Sequence, residues 1–183
     1  ADKLTAIYFD CAGQWQQHGL GSRQLEFIRQ NLQSLERTLA EIGIELYRLE
    51  CDVFADVADS MQDFCRRHRI DALFANRETG INEQRRDQAV KNALGPPFRL
   101  LEADCIVPPG QLVTANNEMY RVFTPFRNAW IKYFRAQGYD LLPAPKADFE
   151  PTQADSEKNA ESPWPAGEQA AQQRLQKFCR EHL

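Results

Sequence analysis

The sequence lacks the features of a membrane, secreted or metal-binding protein. No apolar run in its 183 residues approaches the roughly 20 that a membrane helix needs. Ala1 to Lys3 lead directly into an apolar run without a secretory signal pattern. The five cysteines are odd in number and show no CxxC or cysteine–histidine spacing. We therefore expect free thiols, no metal site and a cytoplasmic protein.

Charge and motif content exclude further classes. The net charge is −4, so the chain lacks the basic excess of an autonomous DNA-binding domain. It contains no GxGxxG, Walker A, GxSxG or HExxH pattern. With only three histidines, no Ser/His/Asp set can be argued. The sequence thus offers no catalytic residue, and a DNA-binding surface of any parent protein is expected elsewhere.

Short apolar segments alternate with longer helical ones along most of the chain. The predicted strands are Leu4–Phe9, Ile44–Leu49, Asp71–Asn76 and Phe98–Glu102. This alternation predicts an α/β fold in which a parallel sheet is flanked by helices. Ligands bind such sheets outside the carboxyl ends of the strands, so the loops that follow the strands are the places to examine.

Capping residues and glycines predict where the helices begin and end. Ser22 is the expected N-cap of the first helix and Gly43 its stop, while Asp52 is the expected N-cap of the second. The three glycines between Asp10 and Gly21 predict a loop there. The third helix is expected at about Asn82 to Leu94.

The last predicted helix of the sheet region opens at Thr124 and Pro125, as N-cap and first helical residue. Phe126, Trp130 and Phe134 follow along one face, which is typical of a helix that packs into a core.

A change of composition suggests the domain organisation. Residues 143–165 hold five of the ten prolines and are predicted to be an extended linker. Residues 1–142 would form the α/β domain. Residues 166–183 are predicted to be helical and to begin another domain.

Three polar residues near strand ends are candidates for binding. His18 lies in the predicted loop after the first strand. Glu83 lies in the first turn of the third helix, where its simplest role is a carboxylate that complements the helix dipole. Alternatively, Glu83 could accept two N–H bonds from a heterocycle while Asn82 donates and accepts, which suits the amino-pyrimidinone edge of a pterin or purine.

Five groups of residues stand out in order along the chain. They are Gln14–His18 with Ser22–Gln24, Ile81–Asp87, Cys105–Gly110, Met119–Trp130, and Trp164–Glu168 followed by Arg174, Leu175 and Phe178. Together they resemble segments of bacterial cyclobutane-dimer photolyases of the folate-antenna class, and the likeness covers essentially the whole chain. Each motif alone is weak, whereas the ordered set is specific.

The resemblance implies a Rossmann-like domain that holds 5,10-methenyltetrahydrofolate as a light-harvesting antenna. His18, Asn82 and Glu83 match by position the family residues that contact this folate. The resemblance also implies that the parent protein is a deoxyribodipyrimidine photo-lyase, which uses reduced FAD to split dimers flipped out of UV-damaged DNA.

Two departures from the family pattern stand out. The family's opening strand, which normally lies in the middle of the sheet, precedes the point where this chain starts. Strand shuffling, dimer exchange or an unseen partner could close the sheet. The chain also stops before the helical FAD domain, so this fragment is expected to be inactive alone. A cryptochrome photoreceptor and a generic nucleotide- or flavin-binding module, such as an electron-transfer flavoprotein-like subunit, are the rival interpretations.

Overall fold

The computed structural model describes residues 3–95, 97–103, 105–138, 142–146, 149–152 and 164–182. The chain divides into two compact units, one made of Ala1–Val53 with Pro145–Leu183 and the other of Phe54–Ala144. In chain order, the elements are β1 (Thr5–Cys11), α1 (Ala12–Gln17), α2 (Ser22–Glu41), β2 (Glu45–Cys51), α3 (Val57–His68), β3 (Leu73–Asn76), α4 (Ile81–Leu94), β4 (Phe98–Leu101), α5 (Phe123–Gln137) and α6 (Glu168–His182).

The first unit is built on a parallel pair of strands. β1 and β2 run in register from Thr5 opposite Glu45 to Cys11 opposite Cys51, and both cysteines are buried and form no disulfide. Helix α2 packs against β2. The short connection between these two elements turns at Gly43, whose φ of 74° lies in the left-handed region that favours glycine.

Two sequence predictions about the first unit are wrong in detail. The segment predicted as a loop from Asp10 to Gly21 contains α1, whose Gln14 N donates to Asp52 O over 2.9 Å. A Cβ on Gly13 would collide with Asp52, so this glycine permits close packing and does not mark a loop. The N-cap of α2 is Gly21 and not Ser22, because the side chain of Gln24 turns back to accept from Gly21 N.

The C-terminal segments of the first unit contact α2. Gly167 N donates to Asn31 Oδ1 over 3.0 Å, and Thr152 N donates to Ala40 O over 3.0 Å. The predicted terminal helix is present as α6. Much of the predicted linker, residues 153–163, lies outside the described residues, so that domain boundary stays a prediction.

The second unit contains another parallel pair, β3 with β4, and two helices, α3 and α4, that pack together. Its buried core includes Val57, Met61, Phe64, Val90 and Phe98. Phe64 is the most deeply buried of these, with 1% of its surface exposed. The predicted apolar face of the second helix is therefore confirmed at Val57, Met61 and Phe64.

Two predictions about the second unit also need correction. Asp52 does not cap α3, which begins at Val57 after a 3-10 turn, because Asp52 is engaged by α1. Helix α5 begins at Phe123, so Thr124 lies inside it and is not its N-cap. The expected core packing of α5 is wrong too, since none of its residues is buried, although Trp130 stacks on Phe134 at 5.2 Å.

The structure confirms an α/β fold with helices and short parallel strands. Among the described strands, pairing occurs in twos, β1 with β2 and β3 with β4. No helix within the described ranges has the length and apolar character needed to cross a membrane.

Candidate functional site

Two of the three candidate residues directly follow the loop that leads from β3 into α4. β3 ends at Asn76, Gly80 is the N-cap of α4, and Asn82 and Glu83 lie in the first helical turn. Both side chains are half-buried. The Glu83 side chain turns back over Gly80, so closely that a Cβ at residue 80 would overlap its carboxylate. The carboxylate therefore lies at the N-terminal end of α4, where the helix dipole favours negative charge.

The loop that leads to Glu83 is held by hydrogen bonds on both sides. Arg77 N donates to Leu101 O over 2.8 Å, and the Arg77 side chain forms an ion pair with Glu102. Gln84 Nε2 donates to Thr79 O over 2.9 Å, which ties the loop to the helix that follows it. The first turn of α4 is thus presented from a constrained backbone.

A half-buried arginine provides the third tie. Arg86 Nη2 donates to Glu78 Oε1 over 2.8 Å. Its Nε and Nη2 also donate to Asp87 Oδ1 over 2.9 and 2.7 Å, and its Cζ lies 5.1 Å from the centre of the Phe54 ring. Burial acts to lower the pKa of Arg86, but the hydrogen bonds to Glu78 and Asp87 outweigh it, and the pKa is raised. The guanidinium therefore stays charged.

Asp87 is buried next to this arginine, and only one of its two carboxylate oxygens accepts from it. Its side chain is 8% exposed, and its Oδ2 has no hydrogen-bond partner among the described residues. A buried carboxylate without its counter-charge lowers the stability of the fold, so Asp87 makes the position of Arg86 important for folding. The Arg86–Asp87 pair belongs to the support of the loop and is not a site in itself.

Sequence reasoning missed Gly80, Gln84 and Arg86. One signal could have indicated the ion pair: Asp87 is three residues before Val90, a spacing that places a carboxylate on the buried face of α4. A charge at such a position usually has a partner nearby. The contact between Gly80 and the Glu83 side chain depends on the rotamer of Glu83 and cannot be predicted from the sequence.

The third candidate, His18, lies in the first unit. It is the C-cap of α1 and is exposed, with its N donating to Gln14 O over 3.1 Å. Gln14 Nε2 donates to its ring Nε2 over 2.9 Å, because an amide nitrogen can only donate, and the ring proton of the neutral imidazole is therefore assigned to Nδ1. Asn82 and Glu83 share one helical turn, whereas His18 belongs to the other unit; a role for each in binding stays a prediction.

Charged and aromatic side chains lie together at the carboxyl end of β1, which is near His18 in sequence. Arg48 Nη2 lies 4.0 Å from Asp10 Oδ2, and the rings of Tyr8 and Trp15 are 6.3 Å apart. Burial, followed by the charges of Asp10 and Cys11, raises the pKa of Tyr8 to about 12. The Tyr8 hydroxyl is therefore neutral and able to donate a hydrogen bond at physiological pH.

The first unit also contains a groove between α2 and α6 with a volume of about 840 Å³. Phe27, Trp164 and Phe178 line it, and the Phe27 and Trp164 rings meet edge to face at 6.5 Å. The groove lies between helices and not at a strand end, so the sequence argument did not point to it. Among the described residues, no group of three or more His, Cys, Asp or Glu side chains could hold a metal ion.

Comparison with known proteins gives a consistent result. The family model described as DNA photolyase matches residues 1–147. A deoxyribodipyrimidine photo-lyase of Salmonella typhimurium is 38% identical over 147 residues, covering 79% of this chain and 31% of its own length. The Escherichia coli protein of the same name is 33% identical over 187 residues, covering 97% of this chain and 40% of its own length.

A third protein of that name, from Vibrio cholerae, is 29% identical over 196 residues, which cover all of this chain and 42% of the relative. The chain thus spans between 31% and 42% of the length of these three relatives.

Proposed function

Because the chain belongs to the DNA photolyase family, we propose that it is the antenna-binding domain of an enzyme that repairs DNA with light. The whole protein would be a deoxyribodipyrimidine photo-lyase, the name its relatives carry. Its substrate would be cyclobutane pyrimidine dimers in UV-damaged DNA, and the reaction would be a carbon–carbon lyase reaction.

The observation that carries the proposal is the pair Asn82 and Glu83 at the start of α4, directly after the carboxyl end of β3. In open α/β sheets, ligands bind outside this end of the strands. An ionised glutamate can only accept hydrogen bonds, whereas an asparagine both donates and accepts. The two side chains fit an edge that offers N–H groups next to a carbonyl, as the amino-pyrimidinone ring of 5,10-methenyltetrahydrofolate does.

The surroundings of Glu83 support an ionised acceptor. The carboxylate lies at the positive end of the α4 dipole, and the loop before it is tied to Gln84 and Arg86. Little reorganisation would be needed when a ligand meets it, which favours binding. We include His18 as a third binding residue, because its exposed ring can donate or accept at the end of α1.

When bound, the folate would supply absorption of near-ultraviolet light and excitation energy for a reduced FAD, the proposed electron donor in dimer splitting. We propose that the FAD and most of the DNA contacts belong to the part of the relatives' length that this chain does not span. The net charge of −4 agrees with a DNA surface located elsewhere. No residue of this chain is therefore assigned a catalytic role.

The test is dimer repair by the full-length protein, with and without bound folate, under near-ultraviolet and under blue light. We expect repair in both forms, and a higher yield per incident near-ultraviolet photon when folate is present. Absence of repair under either light would contradict the photolyase assignment and favour a photoreceptor of the cryptochrome kind. The same assay on residues 1–183 alone is expected to show no repair.

Two further points remain proposals. We propose a cytoplasmic location, which the cysteines support because none of the five, all within the described ranges, forms a disulfide. A dimer through the edge of a strand pair stays a prediction, and analytical ultracentrifugation of the full-length protein tests it.

A further inference from the structure

Gly80 ends the loop before α4 at a position whose backbone does not require glycine. Its φ of −67° and ψ of 142° are ordinary extended values. What a side chain would meet there is Glu83: a Cβ at position 80 would lie 2.8 Å from Glu83 Cδ and closer still to Oε2. Only a hydrogen atom fits beneath the carboxylate in its present position.

Gly21 occupies the same cap position before α2 and provides a contrast. Its backbone is also extended, with φ of −75° and ψ of 155°, and its N donates to Gln24 Oε1 over 2.8 Å. A Cβ at residue 21 would lie 3.7 Å from Gln24 Oε1, which is an ordinary contact. A methyl group therefore fits at residue 21, whereas at residue 80 it requires Glu83 to move.

The backbone around Gly80 has little freedom to move in place of Glu83. Thr79 O accepts from Gln84, Glu78 is bonded to Arg86, and Arg77 N donates to a strand carbonyl. The end of the Glu83 side chain is the flexible partner in this contact. An added methyl group would thus displace the carboxylate and leave the loop in place.

We propose that Gly80 is a positioning residue for the folate site: by having no side chain, it keeps open the place over the α4 N-terminus where the Glu83 carboxylate meets the N–H groups of the ligand. This inference rests on the proposed function, because it assumes that Glu83 binds the pterin edge. It adds a residue that carries no functional group and acts through the position of Glu83.

The experiment is a titration of the full-length protein with 5,10-methenyltetrahydrofolate, followed by the near-ultraviolet absorption of the bound pigment. G80A is expected to bind about tenfold more weakly, as when a charge-assisted hydrogen bond is partly lost. G21A should bind like wild type. It is a matched control because alanine is less favourable than glycine at both N-caps.

A double-mutant cycle of G80A and E83D tests whether the loss of folate affinity in G80A acts through Glu83. E83D keeps the carboxylate on a side chain that is one methylene shorter, so we expect it to reach less far over residue 80. Adding G80A to E83D should therefore cause no further loss, in contrast to its effect on wild type.

The outcomes are distinguishable. Failure of the wild-type protein to take up folate would refute the proposed function. If wild type binds, then normal binding by G80A, or an equal loss when G80A is added to E83D, would overturn the positioning role alone.

Discussion

Replacement of Glu83 by glutamine tests the proposed antenna site most directly. The change keeps the size of the side chain but removes its charge and exchanges an acceptor oxygen for a donor. Glu83 is half-buried at the N-terminus of α4, so the helix itself loses about 0.3–1 kcal/mol of dipole interaction. This loss is too small to unfold a domain of ordinary stability.

The expected cost to binding is larger than the cost to folding. A hydrogen bond to a charged group contributes about 1.5–3 kcal/mol. Loss of one such bond weakens binding roughly ten- to a hundredfold, since each 1.4 kcal/mol is about a factor of ten in Kd. Folate affinity should therefore fall far more than the stability of α4.

Two measurements on the full-length protein separate these effects. Near-ultraviolet absorbance during a folate titration gives Kd, and hydrogen exchange in the first turns of α4 reports local stability. E168Q is the matched control, because Glu168 also lies in the first turn of a helix, α6. Wild-type folate affinity in E83Q, or an equal loss of affinity in E168Q, would refute the role given to Glu83.

Three further predictions concern stability and ionisation. R86M should destabilise α4 by about 3 kcal/mol, because it leaves the buried Asp87 carboxylate without its counter-charge. Hydrogen exchange of the α4 amides measures this loss. The control R66M breaks an exposed ion pair and should reduce stability by less than about 1 kcal/mol. F64A should cost roughly 3–5 kcal/mol, since Phe64 is 1% exposed, and protection of α3 amides would fall accordingly. The raised pKa of Tyr8 stabilises the fold fully below about pH 10, and this contribution is lost as pH rises toward about 12. In an ultraviolet titration, Y8F should lose an ionisation near pH 12 that wild type shows.

Periodicity predicted the elements whose residues face a core. The i, i+3, i+4 spacing of α2 and the apolar face at Val57, Met61 and Phe64 placed two helices correctly. The same reasoning failed for α5, because an aromatic stripe shows which face is apolar and does not show that anything covers it.

Local signals at helix ends were less informative, because tertiary contacts decided them. Gly13 looked like a loop residue, yet it lies in α1 because only glycine fits against Asp52. Ser22 is a good cap by residue type, but Gln24 caps the helix one residue earlier through Gly21.

The candidate site divides in the same way. Residue type and position after a strand were enough to select Asn82 and Glu83. The hydrogen bonds from Gln84 and Arg86 that hold the loop join positions five and eight residues apart, and their geometry could not be derived from spacing.

The last residue pair of β1 and β2, Cys11 and Cys51, can report on separation of the two strands. Cys11 and Cys51 face each other there with 0% and 8% of their surfaces exposed, while Cys105 and Cys179 lie at the surface. A thiol reagent should label the surface pair at once, the partly exposed Cys65 more slowly, and Cys11 and Cys51 only when the strands separate. The delay between the first and the last reaction would time strand separation in the native protein, without any engineered probe.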